Sequence, residues 1–559
     1  MNNKKNIILE EYENEFSYKK SKTNLDIQFN RIAFIFFVFL MISVIYSIQL
    51  LHLGSLKSDV KKNYVPSIKN HRADIIDRNG NYLVKTVSSI DIGISPIEVI
   101  DKQKLLINLK WIFPEKDYVE VEKKLNKNKF FNFEKKISST NYQKIMSLGD
   151  KSIRPEEQLT RIYPQKNLFS HIIGQIDDNN KGISGLEKSF NEKLKQTNEP
   201  LKLTVDTDIQ FLIREELVKF QSIFRSKGSA AILMNVNNGE IISMVSYPDF
   251  DLNKREKIVD LNFINRATKG VYELGSVFKI FTVAAGLEEG LIDIDTKFLD
   301  LPKTIYCAGK PIREYNNRIP SDLTVEQILI RSGNIGSVRI GQKLEIIKLK
   351  AFLEKIGILS KINFDIEEVG EPIPFKWGKC KLATVSFGHG ITTTPLQLAK
   401  AYAIISNGGF EVEPSLIKKE LKDSQKKRRV IKEGISKKIN LILRKIVATK
   451  EGTAGLVNIK GYEVGGKTGT AEKSIAGGYT RKAKVNTFAG IFPSSNPKYV
   501  LIVLLDEPKT SSDYVYEYKN KKGSYKGTPF NTAGWTSVEV AGKIIEKIGP
   551  ILATKHMEN

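Results

Sequence analysis

Cysteine is almost missing from this chain: Cys307 and Cys380 are the two in 559 residues. That is too few for a disulfide framework or a Cys₄ zinc site. Both are expected as free or buried thiols, with a disulfide between them as the alternative in a compartment outside the cytosol. Histidine is scarce too. His52, His71, His171, His389 and His556 form no H-E-x-x-H pair, which removes a zincin site. Acidic residues are in deficit, with 63 Asp+Glu against 87 Lys+Arg and a formal net charge of +24. The first reading of such an excess is a nucleic-acid or anionic-membrane partner. Hydrophobic and charged contents of 41% and 27% exclude wholesale disorder. The length suits two or three domains of roughly 100–200 residues each.

Long apolar runs are also absent, with one exception. Between Ile32 and Leu56 there is no Lys, Arg, Asp or Glu, and only Ser43, Ser47 and Gln49 interrupt the apolar stretch Ile32–Leu51. About 20 such residues in a helix cross a ~30 Å hydrocarbon core. No A-x-A-like cleavage site follows, so a retained anchor is favoured over a signal peptide. The tail carries Lys4, Lys5, Lys19, Lys20, Lys22 and Arg31, diluted by five acidic residues, and the far flank carries Lys57, Lys61 and Lys62. The positive-inside rule therefore barely decides orientation. The chain reads as a cytoplasmic tail (1–30), a transmembrane anchor (31–54) and about 500 residues on the outer side.

Beyond the anchor, residues 55–199 mix short strand-like and helix-like pieces, with a turn signal at Asp77-Arg78-Asn79-Gly80. The polar run Lys195–Pro200 reads as a linker into a second domain, 200–559. A helix is expected over Ile209–Phe224. A hairpin should join Ser229–Val236 to Glu240–Tyr247 through Asn237-Asn238-Gly239. An apolar helix over Ser276–Glu289 should close at Gly290. Strands over Phe488–Phe492 and Tyr499–Leu505, with helices over Thr394–Ile405 and Ser436–Ala448, complete an α+β fold, an antiparallel sheet flanked by helices.

The chemistry-bearing residues come in three clusters. In Tyr272-Glu-Leu-Gly-Ser-Val-Phe-Lys279, Ser276 and Lys279 stand at i and i+3 and share a helix face. A serine hydroxyl needs a base, and lysine serves when its pKa is lowered by burial or a second cation. Other Ser-x-x-Lys pairs, such as Ser58…Lys61 and Ser495…Lys498, lack the glycine, the helix start and the apolar helix body together. Ser332-Gly333-Asn334 follows, and then Gly465-Gly466-Lys467-Thr468-Gly469-Thr470. Serine acylation needs a proton shuttle, a carboxylate anchor and an oxyanion hole, which these clusters and backbone N–H groups could fill. Taken singly, Ser332 is an N-cap and Lys467–Thr470 a solvated turn; the ordered triple favours the catalytic reading.

A rival reading competes for the last cluster. Gly461–Thr468 fits the P-loop pattern G-x-x-x-x-G-K-T, and Tyr499–Leu505 before Asp506 imitates a Walker B strand. Against it, Gly469, Gly477 and Gly478 make the following stretch a poor helix.

These motifs in this order resemble the class B penicillin-binding proteins, membrane-anchored transpeptidases of bacterial cell-wall synthesis. Arg72–Gly80 is similar to the family's element at the start of its pedestal, or dimerisation, domain. Arg161-Ile-Tyr-Pro164, Gly174 and Gly182–Glu187 are similar to later pedestal landmarks. Leu203–Asp206 with Gln210, Phe387–Gly390, Thr394–Gln397 and Asn407–Gly409 resemble the transpeptidase domain. The resemblance implies a penicillin-binding, serine β-lactamase-like fold behind the pedestal. Ser276 would be the acyl-enzyme nucleophile and Lys279 its base. Ser332 would relay the proton, and Asn334 would orient Lys279 or the substrate amide. Lys467, Thr468, Gly469 and Thr470 would hold the carboxylate of a D-Ala-D-Ala stem peptide, with the N–H groups of Ser276 and Thr470 as oxyanion hole.

The resemblance further implies peptidoglycan stem peptides as substrate, β-lactams as inhibitors, and a membrane glycan polymerase with divisome proteins as partners at the bacterial inner membrane. No cofactor and no nucleic acid are implied. Ala73, Leu274 and Gly333 depart from the family's usual glycine, proline and serine or cysteine. Ser332-Gly-Asn334 and Thr532-Ala-Gly-Trp535 look closer to the division type than to the elongation type. A non-catalytic septal scaffold stands as the alternative class. His389 is expected to be structural, and Lys426–Arg429 a solvated loop.

Overall fold

The computed structural model describes residues 24–55, 71–254, 263–418, 428–475, 478–517 and 523–555. The expected tail up to Thr23, the flanking Lys57, Lys61 and Lys62, the basic pair Lys426–Lys427 and His556 lie outside the described residues. The chain divides into two units, Met1–Lys69 and Asn70–Asn559. In the first, helix α1 covers Asn24–Ser55. Its segment Arg31–His52 is 22 residues long, all exposed, and reaches a mean hydropathy of 2.5 over an 18-residue window. One N-terminal apolar helix of this length fits a single-pass membrane anchor.

The second unit opens with β1 (Ile75–Ile76) and β2 (Tyr82–Ile94), joined by the expected turn. The Asp77 carboxylate accepts from the N–H groups of Asn79 and Asn81, at 2.8 Å each, and Gly80 takes a φ of +89°, the left-handed region that glycine enters at least cost. Helices α2 (Lys102–Ile112), α3 (Tyr118–Asn126) and α4 (Ser139–Met146) are N-capped by the side chains of Asp101, Asp117 and Ser138. Each such cap is worth about 1 kcal/mol. With β3 (Phe131–Ile137) and β4 (Ile153–Ile162) they surround a small core of Ile92, Ile94, Leu105, Leu109, Leu125, Phe133 and Ile145. Strand β2 pairs antiparallel with β1, β3 and β4, and β1 pairs in parallel with β5 (Leu201–Lys202).

Charge is buried at the base of this sheet. Arg72 Nε and Arg161 Nε flank the Glu187 carboxylate at 2.6 and 2.8 Å, and all three side chains are buried. Arg161 also donates to the carbonyls of Arg72 and Ala73. Three landmarks far apart in sequence thus meet in one network.

Helix α5 (Thr207–Phe224) is N-capped by Asp206. Asp77 reaches its first turn, accepting from Thr207 N at 3.1 Å and Thr207 Oγ1 at 2.6 Å, while Asn79 Nδ2 donates to Asp206 at 2.9 Å. Strands β6 (Gly228–Asn235) and β7 (Ile241–Tyr247) form the expected hairpin. Helix α6 (Lys279–Glu288) is mostly apolar and is buried from Lys279 to Leu287. Two small antiparallel pairs follow: β8 (Lys297–Phe298) with β11 (Leu323–Thr324), and β9 (Thr304–Cys307) with β10 (Lys310–Arg313). Helices α7 (Asn334–Lys355), α8 (Lys379–Val385), α9 (Pro395–Ser406) and α10 (Glu433–Ala448) come next. Strands β12 (Gly465–Ile475), β13 (Gly478–Phe492) and β14 (Tyr499–Asp506), then helix α11 (Ser537–Lys555), complete the domain. The sheet order is β12-β13-β14-β6-β7, antiparallel throughout. The fold is α+β.

Two expectations change, the state of the cysteines and the start of β13, and the disfavoured P-loop reading is excluded. Cys307 and Cys380 are joined in a disulfide across 73 positions, Cα atoms 5.5 Å apart, where free thiols were the first expectation. The fold sets the start of α8 beside the β9–β10 hairpin, a proximity that sequence spacing does not encode. Residues 465–475 form a strand, where the P-loop reading requires a loop opening a helix. Asp506 pairs with Lys473 and Arg266 at 2.5 and 3.5 Å, so neither half of the nucleotide-binding reading survives. Strand β13 begins ten residues before Phe488, because its polar half pairs with the end of β12 and lacks the apolar pattern of a buried strand.

Replacing Glu187 by Ala would strand two buried guanidinium groups. Loss of about 3–5 kcal/mol is expected, read as a lower denaturation midpoint in the full chain.

Candidate active site

The first motif enters the site through a tight turn. Gly275 has a φ of +65°, and a Cβ there would stand 2.8 Å from the Thr470 carbonyl oxygen. Glycine is needed for both reasons. The residues Gly275–Phe278 form a short 3₁₀ turn running straight into α6. Ser276 is half-buried on this turn, and Lys279 one turn on is fully buried. Val277 is held from behind by the Tyr402 hydroxyl, which donates to its carbonyl at 2.9 Å.

The second motif sits across from it. Ser332 has a φ of +57°, uncommon for a residue with a Cβ and typical of strain held at functional sites. This twist turns the chain from the short helix Val325–Ile330 into α7 and leaves the Ser332 carbonyl and hydroxyl facing Lys279. Lys279 Nζ donates to that carbonyl, to Ser332 Oγ at 3.1 Å and to Asn334 Oδ1 at 2.7 Å.

The third motif supplies the opposite wall. On β12, residues two apart share a face, so Lys467 and Gly469 alternate with Thr468 and Thr470. Lys467 Nζ donates to Ser332 Oγ at 2.8 Å and to the Thr468 carbonyl at 3.1 Å. Gly469 lies against the Ser276 turn, where a Cβ would meet the Leu274 carbonyl oxygen at 2.1 Å. Thr468 Oγ1 shares a hydrogen bond with Thr453 Oγ1 at 2.8 Å, and Thr470 Oγ1 accepts from Ala533 N at 2.9 Å.

Two lysines therefore converge on one hydroxyl, both removed from water. Burial pushes Lys279 down to about 7, opposed by the Glu314 carboxylate. Burial also holds Lys467 well below the ordinary lysine range, and Lys279 adds like-charge repulsion. An amine at such a pKa can take a proton near neutrality. Ser332 Oγ accepts from both amines and keeps its own proton to give.

All eight residues singled out from sequence gather here: Ser276, Lys279, Ser332, Asn334, Lys467, Thr468, Gly469 and Thr470. Arg313 and Glu314, Thr453, and Ala533 escaped notice as neighbours of the site, because they arrive from three segments remote from the three motifs. Ala533 had one signal, its place in Thr532-Ala-Gly-Trp535. His389 belongs to an adjoining group: its Nδ1 is 3.6 Å from Glu273 Oε2 and its ring centroid 4.2 Å from that of Tyr479. Burial lowers its pKa.

Known proteins share this arrangement of domains. Residues 229–528 match the penicillin binding protein transpeptidase domain, and residues 67–220 match the penicillin-binding protein dimerisation domain. The probable peptidoglycan D,D-transpeptidase FtsI of Caulobacter vibrioides is 30% identical over 505 residues, covering 88% of this chain and 83% of that protein. Stage V sporulation protein D of Bacillus subtilis is 30% identical over 82% of this chain and 77% of its own length. The peptidoglycan D,D-transpeptidase FtsI of Buchnera aphidicola is 29% identical over 86% and 90%. A crystal structure of a peptidoglycan synthetase from Bifidobacterium adolescentis shares the fold, with a TM-score of 0.66 at 22% identity, over 87% of this chain and 96% of that one. The chain belongs to the penicillin-binding proteins that join a dimerisation domain to a transpeptidase domain.

Proposed function

We propose that this chain is a membrane-anchored serine-type peptidoglycan D,D-transpeptidase, cross-linking D-Ala-D-Ala stem peptides through an acyl-enzyme on Ser276. One observation carries the residue assignments: two buried amines, Lys279 and Lys467, donate to the single hydroxyl of Ser332 beside a half-exposed serine. The neutral Lys279 amine takes the Ser276 proton as Oγ bonds to the carbonyl carbon of the penultimate D-Ala. Charge on the carbonyl oxygen is met by the N–H groups of Ser276 and Thr470; one such donor is typically worth ~3–4 kcal/mol. The C–N bond then breaks, and Ser332 hands a proton to the departing D-Ala amine. An amine of a neighbouring stem attacks the ester, forms the new amide, and returns a proton to Ser276 through the same relay.

Thr470 accepts from Ala533 N, so its hydroxyl proton is available to a substrate carboxylate beside Lys467 and Thr468. Asn334 aligns the Lys279 amine through Oδ1. β-Lactams would acylate Ser276 by the same first step and remain bound. In domain terms, residues 31–54 serve as anchor, 55–199 as pedestal and 200–559 as transpeptidase. An outward-facing catalytic part is supported by the Cys307–Cys380 disulfide, which persists in oxidising compartments. Ser332-Gly333-Asn334 and Thr532–Trp535 favour septal over elongation work, beside a membrane glycan polymerase and divisome proteins at the inner membrane.

Fluorescent penicillin tests the reading directly. The wild-type chain should label covalently and Ser276→Ala should not. A wild type that neither labels nor cross-links stem peptides leaves the scaffold role standing in its place. The pH dependence follows from Lys279: at about 7 it is neutral above that pH and protonated below it. Acylation should therefore fall about tenfold per pH unit below neutrality, measured as the labelling rate between pH 5 and 8. Gly469→Ala would push β12 off the nucleophile turn. A loss of roughly 100-fold in labelling rate is expected, with circular dichroism unchanged.

A further inference from the structure

Between the first and second motifs the chain makes an excursion through β8–β11, and the residues leaving β10 return to the site. Three consecutive residues there grip the second motif. The Arg313 carbonyl accepts from Asn334 Nδ2 at 2.8 Å. Glu314 accepts from Asn334 N through Oε2 at 2.7 Å and from Ile335 N through Oε1 at 2.9 Å. The Tyr315 hydroxyl donates to the Arg331 carbonyl at 3.1 Å.

The first N–H groups of a helix have no partner within it, and the N-cap side chain usually supplies one. At α7 the N-cap is Gly333, which has no side chain to give. Glu314 fills that place from another segment with both carboxylate oxygens, and an anion suits the positive end of a helix. A Cβ at Gly333 would stand 3.6 Å from Glu314 Oε1. The Arg313 bond also settles which way the Asn334 amide points. With Nδ2 committed to Arg313, Oδ1 is left to face Lys279 Nζ at 2.7 Å.

We propose that Glu314 is a positioning residue for acyl transfer, seating Asn334 at the head of α7 and through it aiming the Lys279 amine. The inference rests on the acyl-transfer reading given above. Its charge acts as well as its geometry. The groups bearing on Lys279 are Glu314 from the β10 exit and Lys467 from β12, while Tyr315 and Arg331 flank Glu314. Burial drives the Lys279 pKa down and Glu314 draws it back up.

Two variants of the full-length protein separate these effects, each assayed as the acylation rate by fluorescent penicillin across pH and normalised to folded protein. Glu314→Gln keeps an acceptor oxygen and removes the charge. Lys279 then loses its stabilising anion, so the acid limb should move to lower pH by about half a unit or more. Glu314→Ala removes the cap, and the maximal rate should fall about tenfold or more. A merely structural residue would change the unfolding midpoint and leave the pH limb alone. A Glu314→Gln profile that superposes on wild type, or a limb displaced to higher pH, overturns the inference. So does a Glu314→Ala maximal rate equal to wild type. A wild type that takes no label at any pH overturns the acyl-transfer reading itself, a result distinguishable from the others.

Discussion

Taking a lysine out of water is costly enough that the amine gives up its proton before the fold gives up the burial. Here two amines are buried, and they share one hydroxyl. Much else in the site follows from holding them there. The left-handed backbone at Ser332 brings a carbonyl and a hydroxyl to the same amine. The glycines at 275 and 469 let the Ser276 turn and β12 approach to backbone contact. The apolar body of α6 supplies the low-dielectric floor beneath them. Among the described lysines, these two alone are buried, and the buried arginines Arg72 and Arg161 are instead paired with a carboxylate. Many others make surface ion pairs, such as Lys124 with Glu120 or Lys438 with Asp293, each worth about 0–1 kcal/mol.

Support for the site reaches well outside it. The turn Asp77–Gly80 bonds to Thr207 and Asp206 at the head of α5, and Arg78 pairs with Glu240 beside β7. Helix α5 packs on β7, which lies in the same sheet as β12. The pedestal is thus fastened by hydrogen bonds to the elements on which the catalytic sheet is built. Its own sheet is tied down by the Arg72–Glu187–Arg161 network, where each guanidinium is matched to a carboxylate oxygen at the cost of burying all three.

Much of this was legible in the sequence, and for identifiable reasons. Apolar runs and turn chemistry marked the β6–β7 hairpin, which is buried on both faces, and helical periodicity marked α5, one face of which meets the core. The ordered serine, lysine and glycine clusters marked the three walls of the site, since each wall is a short motif with fixed spacing. Illegible were the contacts made across sequence. Glu314 is 20 positions from the N–H it caps, and Thr453 is 15 from its partner Thr468. The polar half of β13 carried no apolar period, because it is built by pairing with β12 and not by burial. The P-loop pattern at Gly461–Thr468 shows the converse hazard. A spacing of glycines and a lysine can be satisfied by a turn glycine, Gly461 at a φ of +92°, followed by a strand in which Gly466 packs against Phe488.

The disulfide has a topological side. Cys307 and Cys380 lie on either side of Ser332 and Asn334, so the covalent bond closes a ring around the second motif. A ring spanning 73 positions removes loop-closure entropy from the unfolded chain, worth about 4 kcal/mol on the chain-entropy account. The first and third motifs lie outside that ring and gain nothing directly from it. Assembly of the site is therefore unequal: one wall arrives with its unfolded alternatives already curtailed by oxidation, and the other two must find it.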